Sequence, residues 1–138
     1  MTSPVAVGSV PAGEAFSPAQ QEQINRAIEI AEREGELRFA VYVGATDGDT
    51  RVAARALHRQ IPARSRAVLV YVDPARRALE IVTGTEASRV LDDRACTLAA
   101  LAMTSTFSAG DLSGGIADGL RLLGEYAHRP RVLHRDTL

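Results

Sequence analysis

Two aspartates separated by one residue, Asp47-Gly48-Asp49, are the first side chains in the chain whose spacing bears on chemistry. Paired carboxylates can share a hard, oxygen-seeking cation such as Ca²⁺ or Mg²⁺. Three further acids sit where helices are expected to begin, so the candidate metal ligands are Asp47, Asp49, Glu86, Asp92 and Asp111. Each also has a plainer use. Asp49 directly precedes a helical run, where a short acidic side chain satisfies free backbone N–H groups. Acids in a first helical turn are favoured by the helix dipole without any ligand, and Arg89 stands between Glu86 and Asp93, where it neutralises them. The complete calcium-loop pattern, closed by a glutamate at its twelfth position, is not present.

A second constellation is basic. Arg51, Arg55 and Arg59 recur every four residues, so a helix places them on one face. Between positions 50 and 72 there are five arginines and no acid, whereas residues 1–36 hold six glutamates against two arginines. Such segregation suits an anion-binding or partner-binding surface at Arg51, Arg55 and Arg59; a solvated helix face, partly paired with the acidic first helix, is the simpler account of it. Nucleic acid is not the expected partner, because the net charge is −1 and no aromatic residues interleave with the arginines.

Composition removes other mechanisms. The chain has no lysine, all sixteen basic residues being arginine, so a phosphate-loop lysine and a Schiff-base nucleophile are both excluded. Cys96 is the single cysteine, which excludes an intramolecular disulfide and a multi-cysteine zinc site; its apolar neighbours suit a small buried thiol. His58, His128 and His134 lack metal-ligand spacing, and Ser113 lacks the flanks of a nucleophile elbow. The glycines at 110, 114, 115, 119 and 124 fit neither phosphate-binding pattern. Close packing of a helix against the sheet is their expected purpose. No nucleophile–base pair can be assembled, so catalytic and cofactor-binding residues are expected to be absent.

These residues need elements to position them. With 138 residues, 46% of them apolar, the chain can bury one domain-sized core. Its longest apolar runs are six residues, too short to span a membrane. The first residues lack the pattern of a secretory leader, so a reducing cytoplasm is the expected location.

Residues 1–16 read as a loose arm, with a short strand at 5–10. Ser17-Pro18-Ala19-Gln20 reads as a capped helix start. Ile24, Ala27, Ile28 and Ala31 form that helix's apolar stripe, and Gly35 is expected to end it in a left-handed conformation. A strand is expected at 37–44 with Phe39, Val41 and Val43 on one face. A helix follows at 50–61, stopped by Pro62, with Val52, Ala53, Ala56 and Leu57 on its apolar face. Residues 66–72 are apolar on both faces, the mark of a strand covered above and below. A proline turn at 73–77 returns the chain as an antiparallel strand at 78–83. A long helix at about 86–103 and a last one carrying Ile116, Leu120, Leu123 and Ala127 complete the domain, before a tail at 128–138. The helical crossover makes the first two strands parallel. The expectation is one three-layer α/β/α domain over 17–127 around a small mixed sheet.

Three segments carry a family resemblance: Arg38-Phe39-Ala40-Val41-Tyr42-Val43-Gly44, the hairpin from Ala67-Val68-Leu69-Val70 to Ile81-Val82-Thr83-Gly84, and Phe107-Ser108-Ala109-Gly110-Asp111 with Gly115 and Gly119-Leu120. Over about 17–126 the chain resembles a small actinobacterial family of unknown function, itself similar to the TPM domain of thylakoid-lumen, photosystem-repair and receptor-associated membrane proteins. The resemblance implies a mixed sheet between helices. It also implies one of two activities, since some TPM domains bind calcium or act as weak acid phosphatases and others are assembly modules. Gly84-Thr85-Glu86, Asp92, and Phe107 with Gly110 and Asp111 match the family's motif segments, Asp92 at a spacing offset by one. Many TPM proteins carry a signal peptide and a membrane helix, and neither pattern is found here. The expectation is therefore a non-catalytic cytoplasmic interaction or assembly module for an unidentified protein partner. The alternative is a Ca²⁺- or Mg²⁺-dependent phosphatase-like hydrolase.

Overall fold

Ser17 starts the first helix as its composition requires: its hydroxyl accepts the Gln20 N–H at 3.1 Å while the Gln20 side chain accepts the Ser17 N–H at 2.8 Å. The computed structural model describes residues 16–33 and 35–128. The suggested strand at 5–10, almost all of the arm and the tail beyond residue 128 lie outside the described residues. The elements are α1 (Pro18–Glu32), β1 (Arg38–Val43), α2 (Thr50–His58), β2 (Ala67–Asp73), β3 (Ala78–Thr83), α3 (Ala87–Val90), α4 (Asp93–Ser108) and α5 (Leu112–His128). Short 3-10 turns at Arg64–Arg66 and Pro74–Arg76 precede and follow β2.

The sheet order is β1-β2-β3, with β1 parallel to β2 and β3 antiparallel to it. Alternation then sorts the strand side chains into two layers. Phe39, Val41 and Val43 of β1 and Val68, Val70 and Val72 of β2 face α1, α4 and α5, where Ile24, Ile28, Met103, Ile116 and Leu120 complete a large apolar core. On the other face Ala40, Leu69 and Tyr71 form a smaller cluster with Ala54 of α2 and Ile61 beyond it, against which Ala53 and Leu57 of α2 also pack. β2 is buried at every position because both layers cover it. The architecture is the three-layer α/β/α arrangement around a small mixed sheet.

Four local expectations change in the structure. The helix expected at about 86–103 is two helices, because Leu91 takes an extended conformation and Asp92 begins a new helix by accepting the Ala95 N–H at 2.9 Å. α2 stops at His58 rather than 61, and its buried residues are Ala54 and His58, leaving Val52 65% exposed. α1 ends at Glu32 with a right-handed cap at Arg33, and the left-handed glycines are Gly48 and Gly110 rather than Gly35. The α5 glycines pack against helices, not the sheet. A Cβ on Gly115 would lie 2.6 Å from Phe107, one on Gly119 2.4 Å from Met103, and one on Gly124 3.0 Å from the Ala31 Cα. Their missing side chains let α4 and α1 approach the α5 backbone. That packing offsets the ~1 kcal/mol a helical glycine costs relative to alanine.

Candidate functional site

Parallel pairing puts the carboxyl ends of β1 and β2 at one edge of the sheet, and antiparallel β3 ends at the other. This geometry decides where the candidate ligands lie. Asp47 and Asp49 follow β1 at the first edge, and Asp111 starts α5. Glu86 follows β3 at the opposite edge and Asp92 starts α4. Three of the five are engaged as helix caps: Asp49 accepts the Val52 N–H, Asp92 the Ala95 N–H and Asp111 the Gly114 N–H, each at 2.9 Å. Glu86 accepts the Ser65 hydroxyl at 3.1 Å, tying the end of β3 to the turn before β2. Among the described residues no three His, Cys, Asp or Glu side chains gather to hold a metal ion. Asp47, Asp49, Glu86, Asp92 and Asp111 therefore do not form one centre. Asp49, Glu86, Asp92 and Asp111 each serve as the acceptor of a helix start or turn.

The arginines share one surface, as their spacing implies. Arg51, Arg55 and Arg59 are all exposed along α2, the one helix among the described residues on its side of the sheet. Arg51 pairs with Glu80 of β3 at 3.0 Å. No acid among the described residues pairs with the Arg55 or Arg59 guanidinium. Val52 is exposed beside them, giving the face an apolar spot among the charges.

Beneath α2 the sheet carries a polar row. The Tyr42 and Tyr71 rings stack with centroids 4.8 Å apart, Tyr71 shares a short hydrogen bond with the Thr46 hydroxyl, and the Tyr42 hydroxyl donates to the Ala45 carbonyl at 3.1 Å. His58 closes the far end of α2 with Nε2 2.9 Å from the Ala67 carbonyl. A carbonyl only accepts, so Nε2 carries the proton. The tyrosine contacts tie the loop before α2 to the sheet, and His58 ties the end of α2 to β2.

Reasoning from sequence left two buried polar residues without a role. His58 is 6% exposed and Asp73 1% exposed. The signal for Asp73 was a carboxylate ending an otherwise apolar central strand. For His58 it was a histidine four residues after Ala54, on the inward face of α2. Cys96, read as a small buried thiol, is only partly buried; burial still pushes it up to about 11, with Asp93 and Asp92 adding to the shift. It stays protonated near neutral pH and is a poor nucleophile.

Comparison with known proteins extends the picture. The family described as a domain of unknown function, DUF5130, matches residues 2–124. Uncharacterized protein Rv2468c of Mycobacterium tuberculosis is 31% identical over 108 residues, covering 78% of this chain and 65% of that protein. The chain thus spans just under two thirds of the length of such relatives. Among solved structures, the BA42 protein of the psychrophilic bacterium Bizionia argentinensis superposes with a TM-score of 0.76 at 20% identity, over 85% of this chain and 84% of that one. The N-terminal domain of the cg2496 protein of Corynebacterium glutamicum does so with a TM-score of 0.71 at 16% identity, over 88% and 82%. At these identities the likeness is one of fold.

Proposed function

The chain belongs to the DUF5130 family, and from that premise we propose that it is a TPM-like, non-catalytic interaction module whose exposed α2 face engages an acidic protein segment. The observation that carries this reading is the line of Arg51, Arg55 and Arg59 along a solvent-facing helix, with Arg55 and Arg59 unpaired by any acid among the described residues. Guanidinium groups recognise carboxylates through paired, planar hydrogen bonds, and weak hydration makes them well suited to interfaces. Val52, 65% exposed, supplies an apolar contact at the centre of that face. The module is proposed to occupy 17–127 and to work in a reducing, cytoplasmic setting, which suits its single thiol. No helix among the described residues is long and apolar enough to cross a membrane.

The alternative, a Ca²⁺- or Mg²⁺-dependent phosphatase-like hydrolase, requires several converging ligands. The dispersal of Asp47, Asp49, Glu86, Asp92 and Asp111 argues against it.

A fluorescent peptide rich in glutamate and leucine, followed by anisotropy, tests the proposal. The expected result is binding that weakens with added salt and is lost in the double variant Arg55→Glu, Arg59→Glu. Both positions are exposed, so folding should survive. Equal binding by the double variant would overturn the assignment. So would a melting temperature raised by Ca²⁺ or Mg²⁺ together with phosphatase activity abolished in Asp49→Ala.

A further inference from the structure

In the register of β2 with β3, Gly84 comes opposite Ala67, and its N–H donates to the Ala67 carbonyl at 3.0 Å. Bonded pairs alternate along an antiparallel ladder. Ala78, Glu80 and Val82 therefore turn their backbone groups to β2, and Leu79, Ile81 and Thr83 turn theirs away from the sheet. Val72, opposite Leu79, fits the same alternation: its carbonyl accepts the Gly44 N–H at 3.0 Å on the β1 side. Among the described residues nothing hydrogen-bonds the outward N–H and C=O groups of Leu79, Ile81 and Thr83. The opposite edge differs, because the Glu32 carboxylate of α1 accepts the Phe39 N–H of β1 at 2.8 Å. Edge strands are ordinarily guarded by proline, a bulge or charge. β3 has no proline and no bulge, and the side chains it turns toward α4, Leu79, Ile81 and Thr83, carry no charge.

The helix beside this edge is unusual as well. α1 lies over β1 and α4 over β3, and both pack against α5. Met103 of α4 meets Gly119 of α5, so the opposite side of α4 looks away from α5, on the side of the β3 edge. From Ala95 to Gly110 the chain has no charged residue, and that side exposes Thr97, Leu101, Thr104 and Ser105, with Leu101 62% exposed. A solvated helix face ordinarily carries charge. An uncharged face beside an open edge suits a partner with the same two features, and a two-fold axis supplies one, since each surface then meets its own copy. Charge points the same way. Arg77 and Glu86 flank β3, both are exposed, and neither is in an ion pair among the described residues.

We propose that β3 pairs antiparallel with β3 of a second copy of this chain about a two-fold axis at Ile81, joining the two sheets into one and setting the two α4 helices side by side. Ile81 then faces Ile81 of the second copy and Leu79 faces Thr83, each pair exchanging backbone hydrogen bonds. The same register carries Arg77 to the Thr85-Glu86 segment of the other copy, so the two unpaired charges meet across the axis. The interface uses the edge of β3 and the outer side of α4 rather than the arginines of α2, so its success or failure is separate from that of the proposal above.

Sedimentation velocity and amide hydrogen exchange of the 138-residue chain, from about 10 µM to about 0.5 mM, test it. The expected result is a dimer that forms within this range. As it forms, exchange should slow at Leu79, Ile81 and Thr83, whose N–H groups point outward, while Glu80 and Val82, already bonded to β2, should change little. Leu101→Glu, at an exposed position, puts like charges against each other across the axis and should weaken association at least about tenfold. Thr83→Pro should do the same. It removes an outward N–H and no bond within the fold, the one setting in which an edge strand tolerates proline; if it fails to fold, Leu101→Glu and the exchange pattern still decide the matter. A monomer throughout the range, wild-type affinity in either folded variant, or a dimer whose amides at 79, 81 and 83 exchange freely would overturn the proposal. So would slow exchange at those amides at every concentration in a monomer, which would put a segment of the same chain on the edge.

Discussion

The two faces of the sheet are built on different principles. Toward α1, α4 and α5 the sheet presents Phe39, Val41, Val43, Val68, Val70 and Val72 to a continuous apolar layer. Toward α2 it presents Ala40, Leu69 and two polar-tipped residues, Tyr42 and Tyr71, and one short helix covers them. The thick face holds the fold through area removed from water, about 25 cal/mol per Å² of apolar surface. The thin face has a smaller apolar cluster, supplemented by individual contacts: the tyrosine stack, the Thr46–Tyr71 hydrogen bond, the His58–Ala67 hydrogen bond and the Arg51–Glu80 ion pair. One face is a core, and the other is a platform that holds a charged helix toward solvent.

The comparison breaks most directly by truncation. Leu120→Ala in the thick layer should cost about 3–5 kcal/mol, and Ile61→Ala under α2 about 2 kcal/mol, since Ile61 keeps 8% of its surface accessible and belongs to the smaller apolar cluster, whereas Leu120 has none exposed. Urea unfolding of the two variants measures this, and equal costs would mean that the faces share the stability evenly.

Helix caps come next. Asp92→Ala and Asp49→Ala should each cost about 1 kcal/mol. Asp92 restarts a helix in the main core, whereas Asp49 starts the lone helix of the thin face. Hydrogen exchange should therefore show Asp49→Ala loosening α2 alone, and a global loss of protection in that variant would contradict the division. Tyr71→Phe keeps the ring stack and removes the bond to Thr46, for a cost of about 1 kcal/mol or less by thermal melting.

On α4 the Cys96 thiol supplies a pH test. Its folded value of about 11 lies above the ordinary 9.0, so its contribution is fully present below about 9 and is lost as the pH rises toward about 11. Alkaline melts of the wild type should fall more steeply over that window than those of Cys96→Ala. Parallel curves would show that the thiol is not buried as described. The smallest effect belongs to Arg51→Ala, whose exposed ion pair with Glu80 is expected to contribute at most about 1 kcal/mol.

Much of the architecture was legible from residues alone because the signals involved are short. The Ser17–Gln20 capping box, the stripe Ile24, Ala27, Ile28 and Ala31, the doubly buried strand at 66–72 and the proline turn that follows it each depend on a few neighbouring residues, and each stands in the structure. The helix break at Leu91 and Asp92 was hidden by continuous apolar periodicity, which a cap residue interrupts only when the backbone actually turns. The face of α2 was misjudged for a related reason. Val52 looks like a core residue but is exposed, whereas Ala53 and Leu57 pack partly against the sheet and only Ala54 and His58 are fully buried.

The candidate site divides in the same way. Sequence alone determined that Arg51, Arg55 and Arg59 lie on one face, since helical periodicity is a local property of the backbone. It also settled that no lysine chemistry and no intramolecular disulfide is available, since composition needs no fold. Only the tertiary structure decided that Asp47, Asp49, Glu86, Asp92 and Asp111 stay apart, that Asp73 is buried, and that Leu79, Ile81 and Thr83 turn their backbone groups out from the edge of the sheet. Those outcomes depend on which strand edge each loop leaves from and on which strands come to pair. Such distances are set by packing between residues far apart in the chain.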